Sequence, residues 1–451
     1  MTDTSILAAP TVRWLGFGAF EVDLRERELR KSGVRIKIQR KPFQVLELLL
    51  RTPGTLVTRT ELCRHLWPDL HVSYDRSLNT AVNVLRQVLG DSSDSSQFIE
   101  TRPGLGYRFI HPVEEIRESA GSRSGISKRS STTNLDADEE YLKGGYFYNK
   151  MTEDSLQKSF AHFEAALRLD PAHSLARAGL ADVHSAFAFW GVLTPAVAHR
   201  RAKQLAVMAV ELENESAETH ASLGNVKGAF EWDWSGAEVE YRRALKLDPS
   251  YAEARRLYAR HLLALEKSDD SLREIRAAHD LDPLSLVVNT DLAWILYAAR
   301  DFKGAVEQCW KTLVLDSRFA AAQLTLGLAY EQLGMNEEAL TEFQNAHICS
   351  DGQPAAVAAL GHSFAMAGRE HDAEQALSEL DRLSRYRYVS PYWRGIIHVG
   401  LGTRDLAFES LDQALSERDV WLMWLKVEPR FDLLRSDPRF DRLIRSVGLN
   451  Q

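Results

Sequence analysis

The sequence predicts two architectures in one chain of 451 residues, a compact α+β domain at the N-terminus and an all-α solenoid behind it. Three observations lead there. First, a residue lattice recurs every 34 positions through the C-terminal two-thirds: Gly327, Gly361 and Gly395; Ala339, Ala373 and Ala407; Phe343, Leu377 and Leu411; Ala346, Leu380 and Ala414. Upstream the same step joins Pro249, Pro283, Ser317 and Asp351. A period of this length is that of a helix–turn–helix unit copied along a stack, because neither helix can bury its apolar face alone. Second, the first 113 residues lack the lattice and mix short alternating segments with helical ones. Third, a serine-rich stretch poor in large apolar side chains, residues 114–137, separates the two and cannot build a core.

The N-terminal elements follow in order. Phe17 to Asp23 and Val34 to Ile38 alternate apolar and polar residues as antiparallel strands do, with a polar turn at Lys31-Ser32-Gly33. Pro42 opens a run in which Phe43, Val45-Leu46 and Leu49-Leu50 recur at helical spacing until Pro53-Gly54 stops it. Thr58-Arg59-Thr60-Glu61 is a capping-box pattern, so a second helix runs from there to about Trp67-Pro68. A third, from about Ser77, carries the stripe Leu78, Val82, Leu85 and Leu89 and closes at Gly90. Phe98 to Ile110 reads as a hairpin with glycines at its tip. Strands, three helices and a C-terminal hairpin make a winged helix.

Four ordered motifs give that domain a resemblance: Arg40-Lys41-Pro42-Phe43-Gln44-Val45-Leu46-Glu47-Leu48-Leu49, then Thr58-Arg59-Thr60-Glu61-Leu62 with Leu66-Trp67-Pro68, then Leu78 to Arg86, then Gly104-Leu105-Gly106-Tyr107-Arg108-Phe109. They resemble the OmpR/ToxR-type DNA-binding domain. The resemblance implies that the third helix enters the major groove, that the hairpin wing touches the minor groove or backbone, and that the loop Asp69–Asp75 faces RNA polymerase. The residues suit this independently. With the apolar stripe facing inward, Thr80, Asn83 and Gln87 face outward, and an Asn or Gln amide can pair bidentately with adenine. Asn83 and Thr80 are the candidates for base readout. Arg76, Ser77, Arg86 and the hairpin residues Thr101, Arg102 and Arg108 are the candidates for phosphate contacts, which fix register. The family often carries adjacent basic residues where this helix has Asn83-Val84, so its recognition face is poor in charge. Weak binding by one copy, strengthened on tandem or dimeric sites, is expected.

The 34-residue unit, clearest at Leu326-Gly327, Tyr330, Ala339, Phe343 and Ala346, resembles the tetratricopeptide repeat. The resemblance implies helix pairs stacked into a superhelix whose first helices line a groove that takes peptides, partner helices or small ligands. About eight repeats occupy 138–419, the winged helix 11–113, a flexible linker 114–137 and a polar capping segment 420–451. The Trp190–Pro195 stretch lengthens the second repeat, and Glu231-Trp232-Asp233-Trp234 puts two indoles in the turn of the third.

Charge divides along the same line. Residues 1–113 carry 16 Lys+Arg against 12 Asp+Glu, and the rest 39 against 51, a mildly basic head on an acidic body. Cys63, Cys309 and Cys349 lack any paired spacing, as expected of a reducing compartment. No basic start with an apolar run marks a signal peptide, and no stretch approaches the ~20 apolar residues of a membrane span. A phosphate loop, a zinc-binding His/Cys pattern and a catalytic constellation are all missing, so no enzyme, cofactor or metal is expected. Gly361-His362-Ser363 belongs to the repeat lattice rather than to a nucleophile turn. The expectation is a cytoplasmic one-component transcriptional regulator that binds double-stranded DNA, possible as a dimer there, and receives a protein or effector in its repeats, with no membrane partner. The alternative is an interaction scaffold whose winged helix never engages DNA.

Overall fold

A computed structural model describes residues 14–116, apart from 19, 25–27, 32–33, 37, 39, 67–74, 90, 92–95 and 103–104, and residues 135–450. The chain divides into two compact units at Arg129/Ser130. In the first, β1 (Trp14–Phe17), β2 (Phe20–Asp23), β3 (Glu28–Lys31) and β4 (Val34–Ile36) form an antiparallel meander. Phe17 pairs with Phe20 across a turn that places Gly18 at φ +55°, where a side chain would be strained. The single strand expected at Phe17 to Asp23 is therefore the turn and second arm of a hairpin. The same sheet takes in β8 (Glu114–Ile116) beside β1. This corrects the boundary at 113, since three residues assigned to the linker complete the sheet; residues 117–134 lie outside the described residues.

Three helices follow the meander: α1 (Arg40–Arg51), α2 (Arg59–Leu66) and α3 (Asp75–Leu89). Between α1 and α2 runs β5 (Leu56–Thr58), and after α3 come β6 (Ile99–Arg102) and β7 (Gly106–Phe109), in the sheet order β5-β7-β6. Thr58 caps α2 as its sequence predicts: its Oγ1 accepts from the Glu61 amide at 3.2 Å while Glu61 Oε2 accepts from the Thr58 amide at 2.8 Å. The Thr58 amide, and after it the Thr58 hydroxyl that donates to Glu61 Oε2 at 2.7 Å, hold the Glu61 carboxyl below its ordinary value. Gly106 lets β7 come close to β5, for a Cβ there would lie 2.1 Å from the Val57 carbonyl oxygen. The core joins Phe43, Leu46 and Leu49 of α1 to the α3 stripe and to a cluster of rings, with Phe17 and Phe109 centroids 5.0 Å apart.

The second unit holds eight antiparallel helix pairs among the described residues. They are α4 (Leu135–Tyr148) with α5 (Glu153–Leu169), α6 (Ser174–Phe189) with α7 (Pro195–Leu212), α8 (Ala217–Val226) with α9 (Trp234–Leu247), and α10 (Ala252–Ala264) with α11 (Ser268–Leu281). Then come α12 (Leu286–Ala298) with α13 (Phe302–Leu315), α14 (Ala320–Gln332) with α15 (Asn336–Cys349), α16 (Pro354–Met366) with α17 (Glu370–Leu383), and α18 (Pro391–Gly400) with α19 (Arg404–Ser416). Helix α4 starts inside the stretch assigned to the linker. The lattice glycines mark where paired helices touch: a Cβ on Gly327 would meet the Phe343 ring at 2.5 Å.

The end of the chain departs from expectation. Two short 3-10 turns, Val420–Trp424 and Pro429–Leu434, lead to α20 (Pro438–Ser446). Rather than shielding the last repeat with a polar face, this segment buries Leu422, Trp424, Leu425, Phe431 and Leu434. It reaches back along the array. Trp421 lies 3.8 Å, ring to ring, from Phe189 at the end of α6 and donates to the Phe189 carbonyl at 3.1 Å. Tyr297 of α12 donates to Glu428 at 2.8 Å, and Trp234 of α9 donates to the Val447 carbonyl at 2.9 Å. The indole of Trp234 thus seats the C-terminus instead of its own turn. Burial acts to raise the Glu428 carboxyl, but the Arg430 guanidinium, hydrogen-bonded to it at 2.9 and 3.0 Å, holds it below the ordinary range. The Trp190–Pro195 stretch is also held by a distant part of the array, the connection between α17 and α18, its Trp190 carbonyl accepting from Arg387 at 2.6 Å.

Candidate nucleic-acid interface

Helix α3 is held by its apolar stripe, and its outer side is tied to α2 and the hairpin by three polar groups. Asn79 Oδ1 accepts from Arg59 Nη2 at 2.9 Å and from the Tyr107 hydroxyl at 2.8 Å, while Arg59 Nη1 donates to that hydroxyl at 3.1 Å. Both partners take the amide oxygen, so the Asn79 NH2 group has no partner among the described residues. Asn83 is exposed one turn further on, on the same helix face. Two carboxamides therefore face outward in line. The sequence reading missed Asn79, although its spacing of four from Asn83 carried the signal.

Arg86 is not where a phosphate contact requires it. It is 7% exposed, and its Nη2 donates to the Ile99 carbonyl and to Thr101 Oγ1, each at 2.8 Å. Its guanidinium braces α3 against β6, which corrects its assignment as a phosphate ligand. The Thr101 hydroxyl oxygen is taken by that contact, leaving its proton to donate. Arg102 and Arg108 keep part of their surface but share one acid: Glu100 lies 3.1 Å from Arg102 Nε and accepts from Arg108 Nε at 2.7 Å. Leu105 stands 60% exposed at the hairpin tip. Arg76, Ser77 and Thr80 belong to α3, with side chains outside the described residues, as is the 69–74 part of the loop assigned to polymerase.

No group of three or more His, Cys, Asp or Glu among the described residues could hold a metal, and no described helix is long and apolar enough to cross a membrane. Gly361-His362-Ser363 lies inside α16, with Ser363 buried and His362 Nδ1 3.1 Å from Glu331.

Residues 33–109 match the family described as transcriptional regulatory protein, C terminal. The transcriptional regulator HilA of Salmonella typhimurium is 22% identical over 312 residues, covering 64% of this chain and 54% of its own length. The cell cycle response regulator CtrA of Brucella anthropi is 33% identical over 103 residues, 23% of this chain and 44% of its own. The chain thus spans about half the length of the curated relatives it matches. Among solved structures, an IFIT1 monomeric mutant with Gppp-AAAA shares the fold at a TM-score of 0.50 and 14% identity, over 69% of this chain and 71% of that one. The first unit carries an OmpR-type winged-helix domain, and the second is an all-helical repeat solenoid.

Proposed function

We propose that the chain is a sequence-specific, DNA-binding transcriptional regulator of the one-component type, working in the cytoplasm, with its repeat unit as the input. One observation carries this: α3 of a regulator-type winged helix turns two carboxamides outward beside a hairpin that bears Arg102 and Arg108. Asn83, with Thr80, reads base edges; Arg76, Ser77, Thr101, Arg102 and Arg108 position the duplex. The loop Asp69–Asp75 meets RNA polymerase, and two copies on adjacent half-sites make up for the modest charge of one. A protein partner or effector acts on the repeats, against which the chain's own C-terminal segment packs.

The test is selection of duplexes from a random pool by the full chain, at two salt concentrations and with Asn83→Ala. An enriched motif that Asn83→Ala relaxes at one position, with affinity falling steeply in salt, is the expected result. Glu100, which offsets half the charge of the two hairpin arginines, favours the scaffold alternative. That reading takes over if no motif is enriched and any residual binding is insensitive to salt.

A further inference from the structure

Inside the second unit lies a cavity of about 130 Å³ with a mainly apolar wall. Its aromatic lining comes from distant parts of the chain: Phe189 at the end of α6, Trp294 of α12, Trp393 of α18, and Trp421 and Trp424 of the C-terminal segment. Its volume is slightly under the roughly 150 Å³ that holds one benzene ring, so a single ring is the limit; the cavity is open on one side, where a small substituent can project, and indole faces favour an aromatic occupant.

The wall also holds a cation without a full partner. The Arg260 guanidinium stands over the Phe189 and Trp424 rings, 5.1 and 5.3 Å from their centroids. Its nearest acid is Asp291, at 3.7 Å, beyond hydrogen-bonding reach, and that carboxylate is already bonded to Arg256. Arg260 makes no hydrogen bond among the described residues. In the same wall the Nε1 groups of Trp294 and Trp424 and the Thr290 hydroxyl are buried without partners. A partly buried guanidinium with unpaired donors is costly, and an anionic acceptor relieves that cost. The apolar lining disfavours a strongly hydrated phosphate, whereas a carboxylate on a ring matches both features.

We infer that this cavity binds a single-ring aromatic monocarboxylate, the ring among the indoles and the carboxylate at Arg260. The ligand would touch α6, α10, α12 and the C-terminal segment together, which makes it the effector of the repeat unit. The inference rests on the reading of that unit as the input and does not depend on DNA binding.

Four probes test it on the full chain by tryptophan fluorescence and calorimetry: benzoate, phenylacetate, and neutral benzamide and toluene. Expected are saturable binding of the carboxylates, benzamide weaker by about tenfold or more, and a loss of benzoate affinity of at least about tenfold in Arg260→Gln with toluene unaffected. Leu324→Trp, which fills the cavity from α14, should abolish all binding. Equal benzoate affinity in Arg260→Gln overturns the carboxylate assignment. Failure of all four probes to saturate, or full binding by Leu324→Trp, overturns the cavity as the site. Duplex selection on the same samples separates the two readings: intact DNA selection without ligand binding sinks only the cavity, and the converse sinks only the regulator.

Discussion

The guanidinium of Arg86 and that of Arg102 belong to one short stretch of winged helix and do different things. Arg86 is packed against Ile99 and Thr101, so Arg86→Gln removes one buried and one part-buried charge-assisted hydrogen bond and should cost the head about 2 kcal/mol in chemical denaturation. Arg102→Gln should leave that transition in place and weaken duplex binding instead. Glu100 sets the strength of the surface that remains. Its pairs with the exposed Arg102 and the half-buried Arg108 lie at the surface and contribute little to stability. Glu100→Gln should therefore raise DNA affinity and steepen the plot of log K against log salt, by roughly 0.9 for each arginine released to a phosphate; an unchanged slope would remove the hairpin from the interface. In the repeats, Asp182 of α6 offers a pH test. Burial first, then the charge of Glu253, pushes its carboxyl up from 3.8 to about 7. Between those values the native state holds a proton that the unfolded chain has lost, so this group's contribution is most favourable below 3.8, falls as pH rises and levels off above 7. Asp182→Asn should nearly match the parent at pH 4 and exceed it by about 4 kcal/mol at pH 8, the worth of the rise from 3.8 to about 7. His184 and His261, lowered to about 4 by burial, act in the opposite direction, so the difference between variant and parent is the quantity to measure.

Elements were legible where the pattern that forms them is local. The stripe Leu78, Val82, Leu85 and Leu89 defines α3 and turns Asn83 outward, and Thr58 with Glu61 announces the start of α2. Strands β3, β5 and β8 were not legible. Glu-Leu-Arg-Lys in β3 has one apolar residue, β5 and β8 have three residues each, and β8 exists only because β1, about a hundred residues earlier, offers an edge. Arg86 was misread although the helical period held the answer: it stands four residues after Val82 and next to Leu85, on the flank that packs against β6. In the repeats the lattice gave the helix pairs because each glycine is answered by a side chain within its own unit. Gly327 shows how strictly. A Cβ there meets the Phe343 ring at 2.5 Å, and that ring is fully buried and cannot swing away. Gly327→Ala should destabilise the second unit by about 1–3 kcal/mol. A neutral result in thermal unfolding would mean that α14 and α15 can separate without loss.

A stack of repeats that touch only their neighbours transmits a defect no further than the next repeat. This one is closed by its own C-terminus, and no periodicity reports a contact between Trp421 and Phe189, more than two hundred residues apart. The signal was of another kind: a segment that leaves the lattice yet keeps Trp421, Trp424, Phe431 and Phe440 is too apolar to be a solvent-facing cap. The closure changes the cooperativity expected of the unit. Trp424 is 1% exposed, with its ring 5.7 Å from that of Trp294 and 5.3 Å from the Arg260 guanidinium. Trp424→Ala should therefore cost about 3–5 kcal/mol, as truncation of a buried indole does. Where that loss appears separates closure from capping. In hydrogen exchange, amides of α6, α10 and α12 should lose protection together with those of α18 to α20, because all of them pack on the same segment or on the cavity that it walls. Protection lost only in α18 to α20 would describe a terminal cap, and the repeat unit would then be an open stack whose groove can admit a partner without first releasing its own chain end.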